Sequence, residues 1–444
     1  MSTDARVRER GGIGGRGMEI QGVPYRRVAV DQSDDLRHTT RATDFWALDP
    51  SITFLNHGSY GSTPRAVLEA QSNFRERMER DPVRFFKVDL ERLLDDVRER
   101  LGTLLNCRAA DLAPMPNATV ALNTILRNTG VGPGDEILIS DHEYMSVVNE
   151  LERFAAATGA KVVKAKVPFP IHNSDQVTKA FLDAVTPNTR LAFVAHITSA
   201  TSLIFPVEKI VPALMAKGIE VCVDGAHTPG QIPVDIRGLN PTFYVGSFHK
   251  WMSAPKGTGF LWVRPDKQVS PRQFRPLSLS SRAHRVRPDR ALFLRDFDYV
   301  GTDDYTGILA VPAAIDALSS LYPGGLNELM RRNHEMILRG RDAVCRILGV
   351  ESSAPTSMIG SMATIPLPDP DPEFADRPTL YDDPLQDRLV ERHKVQAPVW
   401  RLGADNQRVI RISAQAYNRI DDFETLGHAL VEELAAERTR KAIA

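Results

Sequence analysis

The 444-residue chain is poor in cysteine, in lysine and in long apolar runs, and carries no excess of either charge. Its three cysteines, Cys107, Cys222 and Cys345, stand far apart. They give no CxxC pair and no disulfide framework, which excludes a zinc ribbon or a disulfide-stapled scaffold. Lys plus Arg total 55 against 56 Asp plus Glu, a formal net charge of −1. No bulk field therefore draws the chain to nucleic acid or an anionic membrane. No stretch approaches the roughly 18 consecutive apolar residues of a membrane helix. The Arg- and Gly-rich start, Met1 to Met18, lacks the apolar core of a secretory signal, so a cytoplasmic protein is expected. What is present, 42% hydrophobic and 25% charged residues, suits a globular protein too long for one ordinary core.

Residues 1–44 show no sustained periodicity and are expected to form a flexible extension. Amphipathic helices are expected over 63–81 and 88–106, the second with Leu90, Leu93, Leu94, Val97, Leu101 and Leu105 on one face. Strands are then expected at 112–115, 136–140, 161–166, 191–196, 220–224 and 243–246. Helices at 119–128, 146–158, around 174–184 and at 207–217 separate most of them. This alternation predicts an α/β fold, a large domain over 45–309 with a mainly parallel sheet covered by helices. Ligands of such sheets sit outside the carboxyl ends of the strands. From 310 the texture turns helical, at 310–321, 326–348 and 421–438. Candidate strands at 361–365 and 408–413 flank a Pro/Asp-rich stretch at 366–384, which predicts a smaller C-terminal α+β domain over 310–444.

Two strand ends carry the most chemistry. Asp224 closes the apolar run in VCVDGAHTPGQIPVD. A carboxylate there is either a cap beside Gly225 or the partner of a cationic ring nitrogen. Lys250 follows Ser247-Phe248-His249 in YVGSFHKWMSAPKGTGF and precedes a Gly-rich run. It is either a surface lysine or one that sheds its proton in a pocket and forms a Schiff base with a carbonyl. Only 12 of the 55 basic residues are lysines, and this one lies 26 positions after a strand-end Asp.

Together these motifs resemble the fold-type I pyridoxal-phosphate enzymes of the class V aminotransferase superfamily, and within it the isopenicillin N epimerase-like branch, from about residue 54 to residue 434. The resemblance implies pyridoxal 5′-phosphate as cofactor, with Lys250 as its Schiff-base lysine and later acid/base. It implies Asp224 at the pyridine nitrogen and His227 at the phenolic oxygen, where cysteine desulfurase-like relatives carry Gln. Asn117-Ala118-Thr119 follows a strand and opens a helix, an ordinary N-cap or a seat for the phosphate. Ser247 and His249 complete that seat by resemblance. Gly301-Thr302 is similar to a loop that reaches the phosphate from a neighbouring subunit, which implies a homodimer with shared active sites. In Ser140-Asp141-His142-Glu143-Tyr144, alignment on Glu143 puts Tyr144 where the superfamily stacks a ring on the cofactor, with His142 as the alternative. Arg411, flanked by Val409, Ile410 and Ile412, is the expected grip on a substrate α-carboxylate. Leu55-Asn56-His57-Gly58-Ser59-Tyr60-Gly61 resembles the N-terminal signature; Asn56 or His57 is expected at the substrate, and Tyr60 as a second acid/base.

The implied reaction is at the α-carbon of an amino-acid substrate, through an external aldimine and a quinonoid, most like an epimerase. A C–S or β-lyase, a cyclase and an aminotransferase are the alternatives, because the same residues serve all of them. A persulfide-forming desulfurase needs a nucleophilic cysteine on a mobile loop, and none of the three qualifies. The Arg-dense stretch 272–295, with Arg275, Arg282, Arg285 and Arg287, reads as a solvated surface or dimer rim, or as a site for acidic substrate groups. No metal is expected. A cofactor-binding sensor or inactive scaffold is the non-enzyme reading, and the joint presence of Lys250, Asp224, His227 and Arg411 counts against it. A DNA-binding regulator would need a helix-turn-helix domain, which the sequence does not show.

Overall fold

The computed structural model describes residues 45–269, 273–283, 285, 287–370, 378–402 and 407–439; the expected extension at 1–44 lies outside them. A seven-stranded sheet forms the centre. Its strands are β1 (Leu112–Met115), β2 (Glu136–Ser140), β3 (Lys161–Ala165), β4 (Thr189–Ala195), β5 (Glu220–Gly225), β6 (Phe243–Ser247) and β7 (Gly259–Val263). Their order is β1-β7-β6-β5-β4-β2-β3. The pairs from β6 through β3 are parallel, and β7 alone runs antiparallel to both its neighbours. Every residue of β6 and β7 is buried, as are all but the first of β5, so these strands read as continuous apolar runs. The edge strand β3 exposes Lys161 and Lys164, charges that discourage pairing with a further strand.

Two helices precede the sheet, α1 (Arg65–Arg80) and α2 (Leu90–Leu104), the latter entered through one π turn at Phe85–Asp89. Leu90, Leu93, Leu94, Val97 and Leu101 of α2 are all buried, as the sequence periodicity requires. The connections carry α3 (Ala118–Asn128), α4 (Met145–Thr158), α5 (Asp175–Asp183) and α6 (Val207–Met215). Further along, the helix Val311–Ser319 packs on α1 and α2 rather than standing apart from them.

Beyond it, α7 (Gly325–Leu348) packs against the last helix, Ile420–Thr439, and over a three-stranded antiparallel sheet. That sheet is β8 (Met362–Pro366), β9 (Val399–Leu402) and β10 (Gln407–Ser413), with β10 central. β9, a short strand holding Trp400 and Arg401, is not anticipated from the sequence pattern. The helix before it, Pro384–His393, opens on a readable signal: Asp383 accepts the Leu385 N–H at 2.9 Å and Pro384 occupies the first turn. Buried Arg408 of β10 ties this region together through Asp383 (2.6 Å) and Glu437 (2.8 Å).

One long-range staple matters for the site. Thr53–Phe54 pairs in parallel with Val395–Gln396, and the Leu55 carbonyl accepts both the Ser413 N–H (2.9 Å) and its hydroxyl (2.7 Å). The Ser413 hydroxyl in turn accepts the His57 N–H at 2.7 Å. The Asn56–Gly61 segment is thereby held beside Arg411. Among the described residues no helix is long and apolar enough to cross a membrane.

Candidate active site

The site lies at the carboxyl ends of β5 and β6. Asp224, the penultimate residue of β5, is buried and accepts the Ala226 N–H at 2.8 Å. Burial raises its pKa, against the pull of that N–H and of the Lys250 charge. A carboxylate in that state calls for a cation. Gly225 beside it has no room for a side chain, since a Cβ there would lie 2.3 Å from the Tyr244 ring.

Lys250 follows β6. Its Nζ lies 3.0 Å from His227 Nε2 and 5.8 Å from the centroid of the Tyr144 ring. Burial pushes the Lys250 ammonium down to about 8; Asp224 opposes this and Arg411 adds to it. His227 is enclosed and held well below the usual imidazole range, first by burial and then by the charges of Lys250, Arg411 and His249. Its Nδ1 accepts the indole N–H of Trp251 at 3.4 Å.

Asn117 caps α3 by accepting the Val120 N–H at 2.9 Å, which leaves the first-turn N–H groups of Ala118 and Thr119 without helical partners. Gly259 lets this turn sit against the ends of β6 and β7: a Cβ on it would meet the Gly246 carbonyl at 2.5 Å and Asn117 Cα at 3.2 Å. Ser247 ends β6 and is buried. His249 donates from Nδ1 to the Thr258 carbonyl (2.9 Å) and is pushed down to about 4, chiefly by burial. A dianionic phosphate beside these groups would offset that penalty. The buried Asp224 carboxyl, the lowered lysine and this donor-rich helix start all suit pyridoxal 5′-phosphate.

Arg411, on β10, is 2% exposed. Nη1 donates to the Ser199 carbonyl (2.9 Å), while Nη2 donates to Ser59 Oγ (2.8 Å) and Asn56 Oδ1 (3.3 Å). The guanidinium lies 4.8 Å from the Trp400 ring centroid. Among the described residues no carboxylate pairs with it, and burial lowers it to about 10.

Tyr144 and His142 separate cleanly. Tyr144 is 44% exposed and faces Lys250. His142 is buried between Phe169 and Phe205, with both nitrogens engaged, by the Val167 carbonyl and by Thr201 Oγ1, each at 3.0 Å. His57, expected at the substrate, is instead fully enclosed. Its Nε2 donates to the Lys250 carbonyl (3.1 Å), its Nδ1 accepts the Tyr417 hydroxyl (2.7 Å), and it is pushed down to about 3, chiefly by burial. It braces the Lys250 main chain from behind. Tyr60 is 71% exposed. Thr302 is exposed and bonded to the Tyr299 hydroxyl at 2.8 Å; its side chain makes no hydrogen bond to the Lys250 cluster among the described residues.

Several groups escaped the sequence reading. Glu143 is buried, with Oε1 accepting the Tyr144 N–H (3.2 Å) and Oε2 without a partner. Burial and the Asp224 charge push it up to about 8. Ser59 and Ser199 orient Arg411, and Trp251 adjoins His227. Three of the four arginines expected at a surface or substrate rim are occupied within the protein, and Arg285 is exposed. Arg275 pairs with Asp296 (3.0 Å), Arg287 with Glu91 (2.7 Å), and Arg282 covers the Tyr299 ring at 3.9 Å. All three cysteines are buried with thiols raised by burial.

Residues 54–426 match the family described as Aminotransferase class-V. An isopenicillin N epimerase from Amycolatopsis lactamdurans is 33% identical over 397 residues, 87% of this chain and 96% of that protein. A probable chloroplastic L-cysteine desulfhydrase from Arabidopsis thaliana is 26% identical, over 91% of this chain and 88% of that protein. Among solved structures, a variant of C-DES with glycine covalently linked to its PLP cofactor superposes with a TM-score of 0.72 at 19% identity, covering 88% of this chain and 98% of that one.

Proposed function

The chain belongs to the aminotransferase class-V family, and from that premise we propose that it is a pyridoxal-phosphate enzyme acting at the α-carbon of an amino acid, most like an isopenicillin N epimerase. One observation carries the reading. A lysine lowered to about 8 lies within electrostatic reach of both a strand-end carboxylate and a buried guanidinium that has no carboxylate partner among the described residues.

When bound, pyridoxal 5′-phosphate supplies a sink for the electrons of a broken α-bond. Asp224 would hold a proton at the ring nitrogen. His227 meets the phenolic oxygen. The N–H groups of Ala118 and Thr119, with Asn117, Ser247 and His249, hold the phosphate. Tyr144, whose ring faces Lys250, would lie beside the cofactor. Arg411 grips the α-carboxylate bidentately, with Asn56 and Ser59 fixing the plane of its fork. Lys250, near pH 8 able to hold or release a proton, takes the one on the α-carbon. Thr302 and the exposed Tyr60 and Tyr144 fit a site completed by a second subunit, so the working form is a homodimer.

A β-lyase is the second reading, favoured by the desulfhydrase relatives, the Arabidopsis one covering 91% of this chain against 87% for the Amycolatopsis epimerase. Persulfide transfer is disfavoured, because each thiol is buried and its pKa raised. The test is product analysis on a panel of amino acids in deuterated water, by mass spectrometry and chiral chromatography. Deuterium at an α-carbon of inverted configuration supports epimerisation, loss of a side-chain fragment supports the lyase, and loss of the amine with the side chain intact supports transamination. Absence of α-deuterium together with absence of any lyase or keto-acid product from every substrate would reject α-carbon chemistry.

A further inference from the structure

We infer that the indole N–H of Trp251 fixes the tautomer of His227, so that His227 presents an Nε2–H, and not a bare nitrogen, to Lys250 and to whatever group Lys250 meets. An indole nitrogen can only donate, so the His227 Nδ1 facing it at 3.4 Å has to be the acceptor. A neutral imidazole with a bare Nδ1 carries its hydrogen on Nε2. That Nε2 lies 3.0 Å from Lys250 Nζ, a contact that works when the lysine is a free amine with a lone pair to offer. Trp251 is thus a positioning residue. It touches no reacting atom and acts through the ring next to it.

The surroundings leave the pair little freedom. Trp251 is fully buried and His227 is 2% exposed. The indole packs with Ile197 and Met362, and against the His57 ring at 5.2 Å between centroids. The His227 main chain is pinned by Gln231, whose amide donates to its carbonyl at 2.7 Å. Gly230, at φ +87°, allows the turn to close on Trp251, since a Cβ there would meet the Trp251 carbonyl at 2.6 Å. His57 on the other side obeys the same logic. Its Nε2 donates to the Lys250 carbonyl, so its Nδ1 accepts from Tyr417. Both imidazoles flanking Lys250 therefore share one tautomer, one holding its main chain and the other its amine.

The inference rests on the proposed function only for what the Nε2–H meets once the cofactor is bound. The test is long-range proton–nitrogen correlation NMR on the full-length holoenzyme with ¹⁵N-labelled histidine, His227 being assigned through His227→Gln. In the wild type, Nδ1 is expected at the position of an unprotonated ring nitrogen and Nε2 at that of a protonated one. In Trp251→Phe, which keeps a ring and removes the donor, the tautomer ratio is expected to fall about fivefold, the worth of one ordinary buried hydrogen bond. The pH midpoint of the cofactor's visible absorbance is expected to move in Trp251→Phe, and not when the same change is made on a His227→Gln background. A protonated Nδ1 in the wild type overturns the inference without any variant having to fold. An unchanged ratio in Trp251→Phe, or an equal midpoint shift on both backgrounds, overturns it as well. The NMR readout needs no turnover, so a protein with this tautomer but no α-carbon chemistry would reject the function and leave the inference standing.

Discussion

Arg411 and Ser59, 352 positions apart in sequence, are joined by a 2.8 Å hydrogen bond from Nη2 to the serine hydroxyl. Ser199 holds the other arm of the fork through its carbonyl at 2.9 Å. The guanidinium is therefore oriented by neutral acceptors while its charge, nearly sealed from water, finds no carboxylate among the described residues. Enclosing a charge without a counter-ion is costly. The arrangement is sterically finished and electrostatically open, which is the state expected of a grip awaiting an anionic substrate.

Arg411→Lys is expected to raise KM for an amino acid by about tenfold or more, since one charged hydrogen bond of a bidentate pair is worth about 1.5–3 kcal/mol. Arg411→Ala should cost more. The control is the matching amine that lacks the α-carboxylate. Wild type and variants should bind it alike, measured by displacement of the cofactor's absorbance. An equal loss for the amine would mean that Arg411 only supports the fold.

Capture of pyridoxal 5′-phosphate by cofactor-free protein should speed up as pH rises and level off above about 8, because the Lys250 amine attacks only when unprotonated. Stopped-flow absorbance with borohydride fixation reads this rate, and Lys250→Ala should abolish it. The same shift has a sign for stability. The folded pKa of this base, about 8, lies below its ordinary 10.5. Between those values the unfolded chain holds more protons, so this group's contribution to stability rises with pH across that window. A capture rate independent of pH would contradict the lowered lysine.

Much of this was legible from one dimension, and the limits have physical causes. Asp224 and Lys250 stand at the ends of apolar strands, where a charge is conspicuous, and the parallel pairing of β5 with β6 turns their sequence spacing into proximity. His57 looked like a substrate contact because its partners, the Lys250 carbonyl and Tyr417, lie 193 and 360 positions away. Tyr144 and His142 could not be told apart until Val167 and Thr201 closed around the histidine. Trp251 is a fully buried side chain, and only the position of its N–H gives it a second role. That Arg411 finds no carboxylate among the described residues is a fact about three dimensions alone.

Glu143→Gln is expected to raise the melting temperature of the cofactor-free protein. The carboxyl is pushed up to about 8 from an ordinary 4.5, by burial first and by Asp224 second. Between those values the folded state holds the extra proton, so the wild type loses stability from this group as pH rises through the window. Glutamine is neutral throughout and of the same shape. The gap between variant and wild type should widen with pH from about 4.5 to about 8 in thermal melts. A gap that stays constant would show that Glu143 is not held neutral beside Asp224.

Gly61→Ala should loosen the Lys250 loop far more than Gly257→Ala, although both glycines have positive φ, +67° and +80°. A side chain at either position costs about 1–2 kcal/mol in backbone strain. At Gly257 that is the whole cost, because nothing lies within 4 Å of the added Cβ. At Gly61 the Cβ would stand 2.4 Å from the Lys250 carbonyl oxygen and 2.5 Å from that of His249, both rigid main-chain atoms. Relief requires moving the peptides that carry the lysine and the phosphate-side histidine, and it pushes on the carbonyl that His57 holds at 3.1 Å. Gly61→Ala is therefore expected to weaken pyridoxal 5′-phosphate binding at least about tenfold on top of the strain it shares with Gly257→Ala, read by cofactor titration and thermal melts of both variants. Equal effects in the two would mean that the close approach of residue 61 to Lys250 does not govern the geometry of the site.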